Sequence, residues 1–130
     1  MKAVVTPARA IAGTLMLAVA LCGVSVFNAT AGPAKGDAAA GKKIFTVKCV
    51  ACHKPDGAGG VKLTGNPTPN WKDPKIWADP KRKTDDYFRD CITNGKPTSG
   101  MVAWGKTGQI KPTEIENLIV FIHTLEPKKK

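Results

Sequence analysis

The sequence predicts an all-α domain with long loops, and three observations support this fold class. Three segments repeat apolar residues at intervals of three and four, which is the spacing of an amphipathic helix, and each follows a plausible capping residue. No segment alternates apolar and polar residues as a half-buried strand does. Residues 61–83 contain Pro67, Pro69, Pro74 and Pro80, which favour extended turns over a long helix. A loop of this length in a small domain is expected to wrap around a bound group.

The first 31 residues have the pattern of a secretory signal peptide. Lys2 and Arg9 precede an apolar stretch over residues 11–27, and Ala29-Thr30-Ala31 is a small-x-small cleavage site. Glycine and hydroxyl residues interrupt the apolar stretch, so stable insertion in a membrane is not expected. We expect cleavage after Ala31 to leave one exported domain, residues 32–130, in the periplasm. Cys22 leaves open a lipoprotein anchor, although Leu21 stands before it where a small residue is usual.

The mature chain is basic. It contains eighteen Lys and Arg residues against ten Asp and Glu residues, for a net charge of +8. Such a charge favours encounter with acidic partner proteins, although it is equally typical of a solvated surface. Nucleic acid is not an expected partner, because no basic helix and no aromatic array occurs.

The first predicted helix begins after Asp37, which is a good N-cap residue. Ala40, Ile44 and Val47 share one face of it. Gly41 lies inside this helix, where glycine costs about 1 kcal/mol relative to alanine. We therefore expect another helix to approach closely at Gly41.

The run Cys49-Val50-Ala51-Cys52-His53 is the attachment signature of a c-type haem. Its spacing lets both sulfurs form thioethers with the two vinyl groups of one haem, and places His53 as the proximal iron ligand. A thiol–disulfide pair would require a preceding strand, and a zinc site would require two more ligands. The remaining candidates for such ligands, Cys91 and His123, are far apart in the sequence.

The second predicted helix begins after Thr84 and ends at Gly95. Cys91 lies on its apolar face, which favours a buried thiol; an intermolecular disulfide or a redox-active thiol stays open. If Cys22 leaves with the signal peptide and Cys49 and Cys52 carry the haem, Cys91 has no partner left for an internal disulfide.

The third predicted helix begins at Thr113, with Glu116 completing a capping box and Pro127 ending the segment. Its apolar stripe consists of Ile115, Leu118, Ile119, Ile122 and Leu125.

Met101 is the predicted second axial ligand of the iron. It is the one methionine that remains after signal cleavage, and it lies in a glycine-flanked loop between two predicted helices. His123 is the rival ligand, and its position away from the apolar stripe indicates a surface residue.

The mature chain resembles the small bacterial class I c-type cytochromes over nearly its full length. The matching segments are residues 36–45, 49–53, 66–71, 94–95, 100–104 and 118–121. The resemblance implies three main helices and long loops wrapped around one covalently bound haem, with the first and last helices crossing. It also implies that Gly41 and Phe45 meet Leu118 and Phe121 at that crossing. The resemblance also implies that the other ring N–H of His53 donates a hydrogen bond to the carbonyl oxygen of Pro69, or else of Pro67.

The implied function is that of a periplasmic one-electron carrier, a monomer and not an enzyme, serving respiratory or dehydrogenase partners. Lysines beside the ligand segments would steer acidic partners in transient encounters: Lys48, Lys54, Lys96 and Lys106. Val102 stands where the family commonly has proline, which leaves an open-site catalyst or gas sensor as one alternative. An accessory subunit of a larger oxidoreductase is another.

Overall fold

The computed structural model describes residues 36–128, so the predicted signal peptide, its cleavage site and Cys22 lie outside the described residues. It contains five α-helices: α1 (Ala38–Lys48), α2 (Val50–His53), α3 (Pro74–Ala78), α4 (Asp85–Asn94) and α5 (Pro112–His123). A 3₁₀ turn covers Pro97–Ser99, and no strand occurs among residues 36–128. The all-α prediction is confirmed, and the three predicted helices are the three long ones. Within the described range, no helix combines the length and the apolar character that crossing a membrane requires.

Helices α1 and α5 pack against each other through Gly41. A Cβ atom at position 41 would lie 2.0 Å from the carbonyl oxygen of Asn117 and 2.9 Å from Cβ of Phe121. The rings of Phe45 and Phe121 lie 5.1 Å apart beside this contact, and Leu118 is 1% exposed. The close approach predicted from the internal glycine is therefore confirmed. The main-chain amide of Asp37, the α1 N-cap, also donates to the Asn117 side chain at 2.7 Å.

Helix α4 begins as predicted and is tied to α5 by an ion pair. The Thr84 hydroxyl accepts from the amide of Tyr87 at 3.2 Å, which caps the helix. Arg89 donates through two nitrogens to the two carboxylate oxygens of Glu116 on α5, at 2.7 and 2.9 Å. Two parallel bonds of this kind fix the relative orientation of the helices as well as their distance.

The predicted start of α5 is wrong by one residue, and its predicted capping box is wrong. The helix begins at Pro112, which has no N–H to leave unpaired at that position. The side chain of Glu114 accepts from the amide of Lys111 at 2.7 Å, whereas the sequence predicted that Glu116 would fill this role. Glu116 is instead bound to Arg89. The helix also ends at His123, before the last residue of the predicted stripe.

Helix α3 lies inside the proline-dense stretch and was not predicted. Asp73 caps it by accepting from the amide of Lys75 at 2.9 Å, and Pro74 occupies the first turn. Trp77 on this helix is buried, and its indole N–H donates to the carbonyl of Trp71 at 2.7 Å. The Asp-Pro pair is a helix-start signal in the sequence, but five residues are too few to show periodicity.

Candidate cofactor site

A cavity of about 560 Å³ lies among α1, α4, α5 and the loops. Its wall brings together Cys49, His53, Pro69 and Met101, which come from three separate segments of the chain. Cys52 is half-buried and does not line this cavity. The rest of the wall is largely apolar and includes these core side chains: Phe45, Trp71, Phe88, Ile92, Leu118 and Ile122.

Of the two motif cysteines, Cys49 lies at the junction between α1 and α2, and Cys52 lies within α2. Cys49 separates the two helices, and its carbonyl accepts from the amides of Cys52 and His53 at 3.2 and 2.9 Å. Both thiols are free in the structure. Burial, with the nearby Cys52, raises the pKa of the Cys49 thiol to about 12, so that the thiol carries its proton at neutral pH.

His53 is buried with a neutral ring. Its side chain stacks on the indole of Trp71, with 4.6 Å between ring centroids and 5° between the planes. Burial lowers the pKa of His53 to about 4. A neutral imidazole keeps the nitrogen lone pair that a metal ion needs.

The second ring nitrogen of His53 is a buried polar atom without a hydrogen bond. Nδ1 of His53 finds no partner among residues 36–128. The bond expected from His53 to the carbonyl of Pro69, or of Pro67, is therefore not formed in this structure and stays a prediction for the haem-bound protein. Both prolines line the cavity, and Thr68 between them is anchored because its hydroxyl donates to the carbonyl of Cys52 at 2.8 Å.

The Met101 loop is held by paired backbone hydrogen bonds. The amide of Lys96 donates to the carbonyl of Met101, and the amide of Met101 donates to the carbonyl of Lys96, each at 3.1 Å. Gly95 and Gly100 lie next to these two hydrogen-bonded residues. Their φ values are 68° and 78°, in the region that favours glycine. The loop after Met101 is also bound to the end of α4, because the amide of Gly105 donates to the carbonyl of Ile92.

His123, the rival ligand, does not line the cavity. Its Nε2 lies 2.7 Å from a carboxylate oxygen of Asp85, and its ring packs against Trp77 and Phe88. The structure therefore brings Met101, and not His123, to the cavity with His53.

The residues present fit a covalently held haem. Two thiols at the motif spacing, a neutral imidazole with an orphaned Nδ1 atom and a thioether adjoin or line one mainly apolar cavity. A zinc site finds no support, since residues 36–128 contain no group of three His, Cys, Asp or Glu side chains placed to hold a metal ion.

Comparison with known proteins identifies the family. Residues 36–122 match the family described as "Cytochrome C oxidase, cbb3-type, subunit III". Cytochrome c6 of Rippkaea orientalis is 36% identical over 87 residues, which cover 67% of this chain and 69% of that protein. The chain belongs to this family of cytochrome c domains. It is a small class I c-type cytochrome, as the resemblance predicted.

Other relatives of this cytochrome are longer proteins. The cbb3-type cytochrome c oxidase subunit FixP of Bradyrhizobium sp. strain ORS 278 is 40% identical over 92 residues, which cover 68% of this chain and 28% of that subunit. The subunit CcoP of Azospirillum sp. strain B510 is 33% identical over 96 residues, which cover 69% of the chain and 31% of CcoP. The cytochrome therefore spans less than a third of the length of these oxidase subunits.

Proposed function

We propose that this cytochrome holds one haem c through thioether bonds from Cys49 and Cys52, with His53 and Met101 as axial ligands of the iron. In this role it passes single electrons between respiratory partners in the periplasm without catalysing a reaction of its own. The observation that supports the proposal best is that Cys49, His53 and Met101 converge on one mainly apolar cavity.

The protein's own residues serve this role by filling the iron's coordination sphere and excluding water. When bound, the haem supplies an iron atom that cycles between the ferrous and ferric states. The soft thioether of Met101 favours the ferrous state. If His53 and Met101 both held the iron, they would leave no position for a substrate, which would favour a carrier over an enzyme.

Coordination of the iron and covalent attachment of the haem are tested by producing the full chain in a host competent for cytochrome maturation. We expect a coloured protein whose intact mass exceeds that of the processed polypeptide by one haem, and whose reduced form resists carbon monoxide. Met101→Ala should keep the covalent haem but bind carbon monoxide readily, because one axial position is then vacant. Ala103→Gly, a small change in the same loop, serves as the control. A colourless protein at the apoprotein mass would contradict the whole proposal.

Transient docking to acidic partners is the proposed mode of partner contact. The mature charge of +8 supports it, as does Lys48, whose Nζ lies 5.4 Å from the ring centroid of the cavity-lining Trp104. Nζ of Lys96 lies 3.0 Å from a carboxylate oxygen of Asp90, which offsets part of the positive charge that Lys96 presents to a partner. The electron-transfer rate with the physiological partner should fall as salt rises, and Lys48→Gln should flatten that dependence. A rate independent of salt would count against steering.

A second candidate function is that of an accessory domain bound to an oxidase. The similarity to oxidase subunits FixP and CcoP favours it. Gel filtration of a periplasmic extract separates the two candidates. A free carrier elutes as a monomer, as we propose, whereas an accessory domain elutes with the larger complex.

A further inference from the structure

The loop of residues 61–68 is closed at its base by hydrogen bonds beside α2. The amide of Gly60 donates to the carbonyl of Thr68, and the amide of Thr68 donates to the carbonyl of Val61, each at 2.9 Å. The Thr68 hydroxyl accepts from the amide of Val61 at 3.0 Å and donates to the carbonyl of Cys52 at 2.8 Å. The two ends of the loop are thus fixed to each other and to α2.

The tip of the same loop contacts the 3₁₀ turn Pro97–Ser99, which precedes Met101 in the chain. The Thr64 hydroxyl donates to the carbonyl of Thr98 at 3.2 Å. Gly65, with a φ value of 50°, lies so close to this carbonyl that a Cβ atom would clash with its oxygen. The tip of the loop therefore meets the main chain of the turn at short range.

Gly100, which directly precedes Met101, is a second point of contact with the loop. A Cβ atom at Gly100 would lie 3.0 Å from Cβ of Leu63 and 3.4 Å from the hydroxyl oxygen of Thr64. The loop is thus attached at its base to the helix that carries His53, and at its tip to the turn that carries Met101. It connects the segments that supply the two proposed axial ligands.

The tip of the loop is not held by the hydrophobic core. All of residues 62–67 are exposed, and the side chain of Leu63 is 58% exposed although it packs against Gly100. Asn66 and Pro67 also line the cavity. A segment with few buried contacts opens locally at low cost in free energy. The contacts with residues 98–100 are therefore the ones that keep this side of the cavity closed.

We propose that the 61–68 loop keeps Met101 on the iron, with Thr64 and Gly65 as its positioning residues. For Met101 to leave the iron, the turn before it would move away from the loop, and these contacts would break. The contacts therefore shift the equilibrium towards the state in which Met101 is bound. They act from outside the turn, whereas the hydrogen bonds between Lys96 and Met101 act within it. The inference rests on the proposed function, because it takes Met101 to be an iron ligand.

The test measures carbon monoxide binding by the reduced, haem-loaded Thr64→Val and Gly65→Ala proteins. Carbon monoxide takes the position that Met101 vacates, so the concentration needed for half-saturation falls as the vacated state becomes more populated. Loss of one hydrogen bond in Thr64→Val should lower that concentration by about two- to tenfold. Gly65→Ala should lower it by about fivefold or more, because the main chain at Thr98 has to move away from the new Cβ atom.

Thr64→Ser, Thr46→Val and Gly108→Ala are the controls. Thr64→Ser keeps a hydroxyl that can donate to the carbonyl of Thr98, so it should bind carbon monoxide as the wild type does. Thr46→Val removes an exposed hydroxyl that donates to the carbonyl of Lys42 within α1. Gly108→Ala adds a Cβ atom in open space at a φ value of 71°. Neither of these two changes should alter the half-saturation concentration.

Two outcomes would overturn the inference. Wild-type half-saturation in both loop variants would mean that the loop does not hold Met101, and equal falls in loop variants and controls would mean that any local destabilisation releases it. If Gly65→Ala does not accumulate with haem, the comparison of Thr64→Val with Thr64→Ser decides, and equal values for these two overturn the inference. Failure of the proposed function looks different, since the wild-type chain would then lack covalent haem or bind carbon monoxide as readily as Met101→Ala.

Discussion

Gly41 lies directly against the main chain of Asn117, so that a Cβ atom at position 41 would stand 2.0 Å from the Asn117 carbonyl oxygen. The nearest atoms that a Cβ at position 41 would meet belong to the main chain of α5, which cannot move aside as the end of a flexible side chain can. The contact therefore sets the distance between α1, which leads into the Cys49 motif, and α5, which supplies the opposing core side chains. A glycine that weakens α1 locally is what permits this packing.

The first prediction concerns this contact. Gly41→Ala should separate α1 from α5 and lower the free energy of unfolding by about 1–3 kcal/mol, a typical cost of overpacking. Urea unfolding of the haem-loaded protein measures the loss. Lys43→Ala, on the exposed side of the same helix, should change the stability by less than about 0.5 kcal/mol. A Gly41→Ala protein as stable as the wild type would show that the helices can separate without cost.

The second prediction concerns Gly95 and the position of Met101. Gly95 has a φ value of 68°, and a Cβ atom there would lie 2.5 Å from the Met101 carbonyl oxygen. Gly95→Ala should disrupt the paired backbone hydrogen bonds between Lys96 and Met101 and so move Met101 away from the iron. The reduced protein should then bind carbon monoxide at the vacated position. The absorption spectrum after addition of carbon monoxide provides the measurement.

Gly108→Ala is the matched control for Gly95→Ala. Gly108 has a φ value of 71°, so alanine meets a similar backbone strain there, but a Cβ atom would meet nothing within 4 Å. Carbon monoxide should therefore not bind to Gly108→Ala. Equal binding by both variants would mean that strain at any glycine, and not the contact with Met101, releases the ligand.

The third prediction concerns the pH dependence of stability through Glu116. The hydrogen bonds from Arg89 lower the pKa of Glu116 below its usual value of 4.5. Because the pKa is lower in the folded state, the pair stabilises the fold above the unfolded pKa, and this contribution is lost as the pH falls through the folded pKa. Glu116→Gln should lower stability by about 1 kcal/mol near neutral pH, a modest value because Arg89 is more than a third exposed.

The difference between wild type and Glu116→Gln should therefore shrink on acidification below about pH 4.5. Urea unfolding at a series of pH values measures it. Glu126→Gln, at an exposed position after α5, should lie within about 0.5 kcal/mol of the wild type throughout. A difference independent of pH would mean that the Glu116 carboxylate charge contributes nothing.

The fourth prediction concerns Cys91. This residue is 8% exposed, and burial raises the pKa of its thiol. The thiolate is the reactive form, so the folded haem-loaded protein should react slowly with an alkylating reagent and quickly once unfolded. Mass spectrometry after timed alkylation measures both rates. A covalent dimer on a non-reducing gel would instead support the intermolecular disulfide that the sequence left open.

The features that sequence alone determined are those that depend on neighbours along the chain. The spacing of Cys49, Cys52 and His53 indicates haem attachment because a single helical turn fixes where their side chains lie. Helix caps such as Asp37 and Thr84 are similarly local. Gly41 predicted its close contact because only packing against another element compensates for a glycine inside a helix.

Tertiary structure decided what depends on residues distant in the sequence. Glu114 and Glu116 are both candidates for capping α5, and the choice rests on Arg89, 27 residues away, which binds Glu116. Helix α3 was missed because burial of Trp77, and not periodicity, stabilises so short a segment. Nor does any sequence pattern bring Thr64 to Thr98, 34 residues away. Local spacing determines which chemical groups the chain carries, whereas packing of separate segments decides which of those groups meet.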